Sequence, residues 1–275
     1  MNSWVILADP RNSSSVRVSY ELLLQQYGWE EGWPLLMQIA ANARQFASSS
    51  SQIPNDVAIG NVLAGPCIDF YAWGRMAQTE TGTLSFILPV GGSAITPDPI
   101  ALLRKAPRRE LAEQFITFVL SPAGQKLWLL DPGTPGGPRE HALYRLPIRR
   151  DVYPADGPLA ERNPYRLAES ALKIDDELQN ARTKLLAELM GVALVDQHAD
   201  LRRAWKALVD GGMRPAAVEE WRKLPFSLEE SLRLAKVLDE GTAPRSAAAR
   251  DATRMVRGWH EEFRQKYRRV IELSR

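Results

Sequence analysis

The chain opens with an unbroken apolar run from Trp4 to Ala8, the pattern of a strand covered on both faces of a sheet. It begins almost at residue 1, as though structure were missing before it. Asp9-Pro10-Arg11-Asn12 makes a turn, and Ser13, Ser14 and Ser15 are N-cap residues for the helix behind them. There Val16, Tyr20, Leu23, Leu24 and Tyr27 return at helical spacing until Gly28 ends the run. Trp33 opens a second helix, with Pro34 placed where a missing N–H costs little and Leu36, Ile39, Ala40 and Ala43 along one face. Residues 45–48 read as a short strand and residues 49–60 as a third helix, with Pro54 disturbing its first turn. The mostly apolar stretch 63–72 is a strand buried on both faces, and strands over 84–90 and 98–103 flank the Gly91-Gly92 turn. Pro107 starts a helix with Leu111, Phe115, Phe118 and Val119 inward, and a short helix reaches Leu130. Strands alternating with helices predict an α/β fold with a mostly parallel sheet.

The pattern changes at the Pro/Gly-rich segment DPGTPGGPRE, residues 131–140, which together with the irregular stretch to Asn163 forms a linker. Beyond it strand signals vanish, and helices are predicted over 165–210, 215–239 and 244–274. Met255, Trp259, Phe263, Tyr267 and Ile271 step by four along the last of these, a core-facing stripe. The arginines and lysine on the same segment make a solvated face, or a modest basic one for phosphate or anionic lipid.

Composition narrows the function classes. With 275 residues, 45% hydrophobic and 25% charged, the chain can bury a sizeable core. A net charge of +2 points to no nucleic-acid partner, and no apolar run approaches the ~18 residues of a spanning helix, so the chain is not membrane-embedded. MNSWVILADP has neither a basic n-region nor a long apolar core, so it is not a secretory signal. The single cysteine, Cys67, rules out an internal disulfide and sits in an apolar run as a structural thiol. His141, His198 and His260 are far in sequence from the serine clusters. No P-loop, G-x-G-x-x-G, H-E-x-x-H or G-x-S-x-G motif occurs, so catalysis finds little support.

Three places carry candidate chemistry. At Asn12, Ser13, Ser14 and Ser15 a strand gives way to a helix start, where free N–H groups and hydroxyls make either an anion site or an ordinary cap. Ser49, Ser50 and Ser51 follow a second strand, as a flexible loop or as a partner turn facing the same ligand. Asp69 and Tyr71 leave the third strand beside Trp73, either as ligands for a hard cation such as ferric iron or simply as residues at a strand exit.

The runs LADPRNSSSVRVSYELLLQQYGWEEGW, NARQFASSSSQIPNDVAIGNVLAGPCIDFYAWGRMA and SFILPVGGSAITPDPIALLRKAPRRELAEQFITFVLSPAGQKLW resemble, in order, the periplasmic solute-binding proteins of ABC importers, ferric-iron type. The resemblance covers residues 4–130. It implies a type II periplasmic-binding-protein-like architecture of two α/β lobes, here with most of the first lobe missing and a helical extension at the C-terminal end. Residues 1–83 would be the second-lobe core, residues 84–130 would return to the first lobe, 131–163 would link, and 164–275 would form the extension. It further implies a periplasmic location, importer membrane subunits as partners, and a small anionic solute or metal–anion complex held between the lobes. Asn12, Ser13–Ser15 and Ser49–Ser51 would hold the anion. Iron-binding members carry two adjacent tyrosines where this chain has Tyr71-Ala72, so Tyr71 can supply one ligand and Ala72 none. The alternatives are an enzyme on the same scaffold, with catalytic groups from the tail, or a ligand-incompetent remnant acting as a helical interaction module.

Overall fold

A computed structural model describes residues 4–168, 171–224, 226–241 and 246–275. In chain order, β1 (Val5–Ala8) leads into α1 (Ser14–Ala41), β2 (Ala43–Ala47), a 3-10 turn (Ser50–Gln52) and α2 (Ile53–Ala58). Then come α3 (Asp69–Met76), α4 (Arg109–Leu120), α5 (Pro122–Leu129), α6 (Pro158–Glu161) and α7 (Pro164–Leu167). Next, α8 (Asp176–Met190) runs into a π-helical segment, Gly191–Asp196, and α9 (His198–Asp210), α10 (Pro215–Arg222), α11 (Leu228–Glu240) and α12 (Ala247–Leu273) complete the chain. Side-chain oxygens of Ser121, Asp175, Ser227 and Ser246 each accept a first-turn N–H, starting α5, α8, α11 and α12 where the sequence offers a cap.

The chain divides into two compact units: the described residues of Met1–Ile68 together with Lys173–Arg275, and Asp69–Leu172. In the first unit β1 and β2 pair in parallel, with Ile6 opposite Gln45, Leu7 opposite Phe46 and Ala8 opposite Ala47. The connection between them is α1. Its two halves are the two expected helices, broken at Gly28, whose φ of 77° and ψ of 167° are non-helical. α1 packs against α8, α9 and α10, and α12 closes the layer over α9 and α10. Trp29 links these layers: its ring lies 5.5 Å from Trp33 and 6.2 Å from Phe226, which in turn lies 5.9 Å from Trp259 of α12. Trp259, Phe263 and Tyr267 of the four-step stripe are buried, with Met255 and Ile271 packed at its ends. One ion pair sits inside this core. Arg182 of α8 and Glu21 of α1 are 1% and 2% exposed, 2.7 Å apart, with the guanidinium 5.4 Å from the centre of the Trp29 ring.

The sheet is smaller than the alternating pattern predicts. Among the described residues it has two strands. Of the expected strand 63–72, only its beginning reaches the sheet: Ile6 N–H donates to the Ala64 carbonyl at 3.0 Å, on the edge of β1 away from β2. Gly65 and Pro66 stop it. A Cβ on Gly65 would lie 2.5 Å from the Ile6 carbonyl oxygen, and Pro66 has no N–H to give a ladder. Residues 69–76 are then helical, as α3.

In the second unit the expected strands 84–90 and 98–103 are irregular. Ile87 and Val90 are 73% and 84% exposed. A short apolar run suits a pleated surface, but strand geometry lasts only where a neighbour completes the ladder. The helix predicted from Pro107 forms as α4, yet Leu111, Phe115 and Phe118 are exposed and not inward. Overall the fold is mostly helical around a small parallel sheet, with the helices of residues 173–275 built into the same core as β1 and β2.

Candidate functional site

Because β1 and β2 run parallel, the turns that follow them emerge at the same, carboxyl edge of the sheet, where open α/β sheets hold ligands. Asp9 N–H still pairs with Ala47 at 2.9 Å, so the ladder holds to the mouth of both turns. From there the Asp9 carbonyl accepts the N–H groups of Asn12 (3.1 Å) and Ser13 (2.9 Å), which folds the first turn into the start of α1. Tyr20 pins the same corner from within: its hydroxyl donates to the Ala8 carbonyl at 2.8 Å and accepts from the Ala8 N–H at 3.3 Å. Burial holds that phenol well above its ordinary titration range.

The two serine clusters meet. Ser15 Oγ lies 2.9 Å from Ser50 Oγ and 3.4 Å from Ser13 Oγ, with Ser13 and Ser50 buried. Ser49 Oγ lies 2.9 Å from Ser51 Oγ and accepts the Ser51 N–H, capping the 3-10 turn. Ser14 and Asn12 stand exposed on the first turn. Although Ser13 has the extended backbone of an N-cap, its hydroxyl makes no capping bond, and no acidic residue occupies the first turn of α1. The positive pole at the start of α1 is therefore left unneutralised by its own first turn, beside three hydroxyls that can turn their hydrogens outward.

Two cations lie by the turn: Arg17 donates to the Pro10 carbonyl at 2.8 Å, and Arg11 is spoken for by carboxylates. Arg11 donates to Asp9 through Nε (3.0 Å) and Nη2 (2.8 Å), and to Asp196 through Nη1 (3.0 Å) and Nη2 (2.8 Å). Its charge is held on the guanidinium by both carboxylates, which push its pKa upward. Sequence reasoning places Arg11 in the turn but has no signal for Asp196, which is 185 positions away.

Asp69 and Tyr71 belong to the other unit. Asp69 opens α3 and accepts the Phe70 N–H at 2.8 Å, and burial raises its carboxyl pKa. The Tyr71 ring packs on Phe70, centroids 4.4 Å apart, and Ala72 is buried. No group of three or more His, Cys, Asp or Glu side chains gathers as a metal site among the described residues. Tyr71 offers a hard cation one phenolic oxygen, a poor fit to ferric iron. No helix among the described residues is long and apolar enough to cross a membrane.

Residues 3–129 match the family described as bacterial extracellular solute-binding protein. The phosphoglycerate transport regulatory proteins PgtC of Salmonella typhimurium (strain LT2) and of Salmonella typhi are each 29% identical to this chain over 204 residues. That alignment takes in 74% of this chain and 47% of each relative, so the chain spans about half the length of the curated relatives it matches. No solved structure matches the chain.

Proposed function

Since residues 3–129 match the bacterial extracellular solute-binding protein family, we propose that the chain binds a small anionic solute, a phosphorylated organic acid in the first instance, at the serine turns of β1 and β2. The observation that carries this is the Ser15–Ser50 contact at 2.9 Å beside the uncapped start of α1. Backbone N–H groups supply directed donors, the helix pole supplies positive potential, and the hydroxyls complete the shell. The relatives' name gives the solute class to try first, a phosphoglycerate. Binding, not turnover, is the activity proposed, since the carboxylates described by the turn, Asp9 and Asp196, are both engaged by Arg11. In this proposal the family's two-lobe architecture closes over the solute outside the cytoplasm and presents it to the membrane subunits of an ABC importer. Ferric iron is left out of it, because Ala72 stands where iron-binding members carry the second of two adjacent tyrosines.

Calorimetric titration with 3-phosphoglycerate and with inorganic phosphate tests the site. Ser50→Ala and Ser15→Ala should each weaken binding about tenfold, the worth of one hydrogen bond to a charged group. Ser14→Glu should abolish binding by placing a carboxylate at the helix pole. Unaltered affinity in Ser14→Glu would remove the turn from the site.

A second possibility is favoured by the word "regulatory" in the relatives' name: the bound solute is reported to a partner rather than delivered to a pore. Uptake of labelled phosphoglycerate in cells lacking the chain separates the two, since delivery requires the chain for transport and reporting requires it only for the response.

A further inference from the structure

The π-helical segment Gly191–Asp196 is fitted around Arg11. A Cβ on Gly191 would lie 2.7 Å from Nε, 2.8 Å from Cδ and 2.9 Å from Cζ of that arginine, so a larger residue would push the guanidinium from its place. At the other end of the segment Asp196 receives the guanidinium as a two-pronged fork, while Asp9 receives it from the opposite side. Asp9 also accepts the Arg11 N–H at 2.9 Å, and its carbonyl holds Asn12 and Ser13. The carboxylate that Arg11 grips is thus the residue that shapes the serine turn. His260 of α12 approaches Asp196 from behind, Nε2 3.5 Å from Oδ2. π-helical turns strain a regular helix and recur where a particular side-chain position is needed.

We propose that Asp196 and Gly191 are positioning residues for the anion site: through Arg11 they hold the Asp9–Ser15 turn in the shape that aims the N–H groups of α1 and the hydroxyls of Ser13 and Ser15 at the solute. This rests on the anion-site function proposed above. Arg11 itself is not a ligand. Its fork is occupied on both sides, and with Asp9 and Asp196 it makes a trio of net negative charge that gives an anion no reason to approach it. The helices of residues 173–275 are, on this account, part of the binding machinery.

Charge and positioning predict opposite signs, which makes the test sharp. Asp196→Asn removes a negative charge near the site and frees part of Arg11, so electrostatics alone would tighten phosphate binding. Positioning requires the reverse, about a tenfold loss of affinity for inorganic phosphate and for 3-phosphoglycerate. Gly191→Ala leaves every charge in place and displaces Arg11, and should weaken both in the same way. In the ligand-free chain, amide hydrogen exchange at residues 12–16 should accelerate in both variants, with exchange in α9 and α12 unaltered. Arg11→Lys, which keeps the charge but cannot fork to two carboxylates, serves as the third variant should either of the others fail to fold. Tighter or equal phosphate binding in Asp196→Asn, or unaltered exchange at residues 12–16, overturns the proposal. A wild-type chain that binds neither anion would instead remove the site, and the exchange measurement would still decide whether the clasp shapes the turn.

Discussion

Lys266 reaches into the core from α12 and donates to the Lys223 carbonyl at the end of α10, with Glu220 close enough to attract it. Burial nevertheless pushes its ammonium down from 10.5 to about 7. The unfolded chain therefore binds more protons than the folded one between about pH 7 and 10.5. Stability rises with pH across that window, and the whole penalty is present below pH 7. Lys266→Met should raise unfolding free energy at pH 6 by ~1–2 kcal/mol and flatten its climb between pH 7 and 10, read by urea titration at several pH values. A slope unaltered by the substitution would show that the amine is solvated. Arg182 and Glu21 behave differently, because each neutralises the other. Arg182→Met should cost ~3–5 kcal/mol by stranding a buried carboxylate, whereas the double variant with Glu21→Leu should recover most of it. Equal costs for the single and double variants would refute that coupling. Neither partner is legible from sequence: a glutamate on the polar side of one helix and an arginine 161 positions later carry no mark of their meeting.

At the scale of elements, what reads well is periodic and local. The four-step aromatic stripe of α12 is buried as spaced, because a long helix with one apolar face has a single way to lie on a core. The serine turns are legible too, since each follows a short strand and precedes a helix start. Their meeting, Ser15 to Ser50, follows once those strands pair in parallel. Residues 84–103 read poorly. Their short apolar runs are strand chemistry, but a strand is a property of two segments, and the sequence of one cannot say whether the other is present. Gly28 reads as a helix end and is one, its φ of 77° and ψ of 167° separating the two halves of α1. An L-residue there must adopt φ 77°, with empty space around its Cβ, so Gly28→Ala should lower stability by ~1–2 kcal/mol through the backbone alone. Thermal unfolding checks it. A neutral or stabilising effect would mean that α1 straightens at no cost.

At the scale of the molecule, the first unit is assembled from both ends of the chain, with Asp69–Leu172 carried between them. Nothing local announces this. Pro/Gly-rich residues 131–140 look like a domain boundary, yet the unit changes at Ile68 and again at Lys173. Many of the large side chains packed with β1 and α1, among them Leu185, Trp205, Trp221 and Trp259, come from the second half. Ending the chain at Leu172 should therefore leave residues 1–68 without protected amides, visible as collapsed dispersion in a proton–nitrogen spectrum. A dispersed spectrum for that fragment would mean the sheet and α1 are self-sufficient.

The same division has a consequence during biosynthesis. When β1, α1 and β2 leave the ribosome, the residues that cover them are still unmade, and an interval of about 5–20 s passes while the intervening hundred or so residues are translated at ~5–20 per second. Through that interval Trp29, Trp33 and the apolar side of α1 stand bare. This nascent chain should thus lean on trigger-type holding chaperones more than one whose first domain closes upon itself, and slowing translation between Asp69 and Leu172 should lower the yield of native protein instead of raising it.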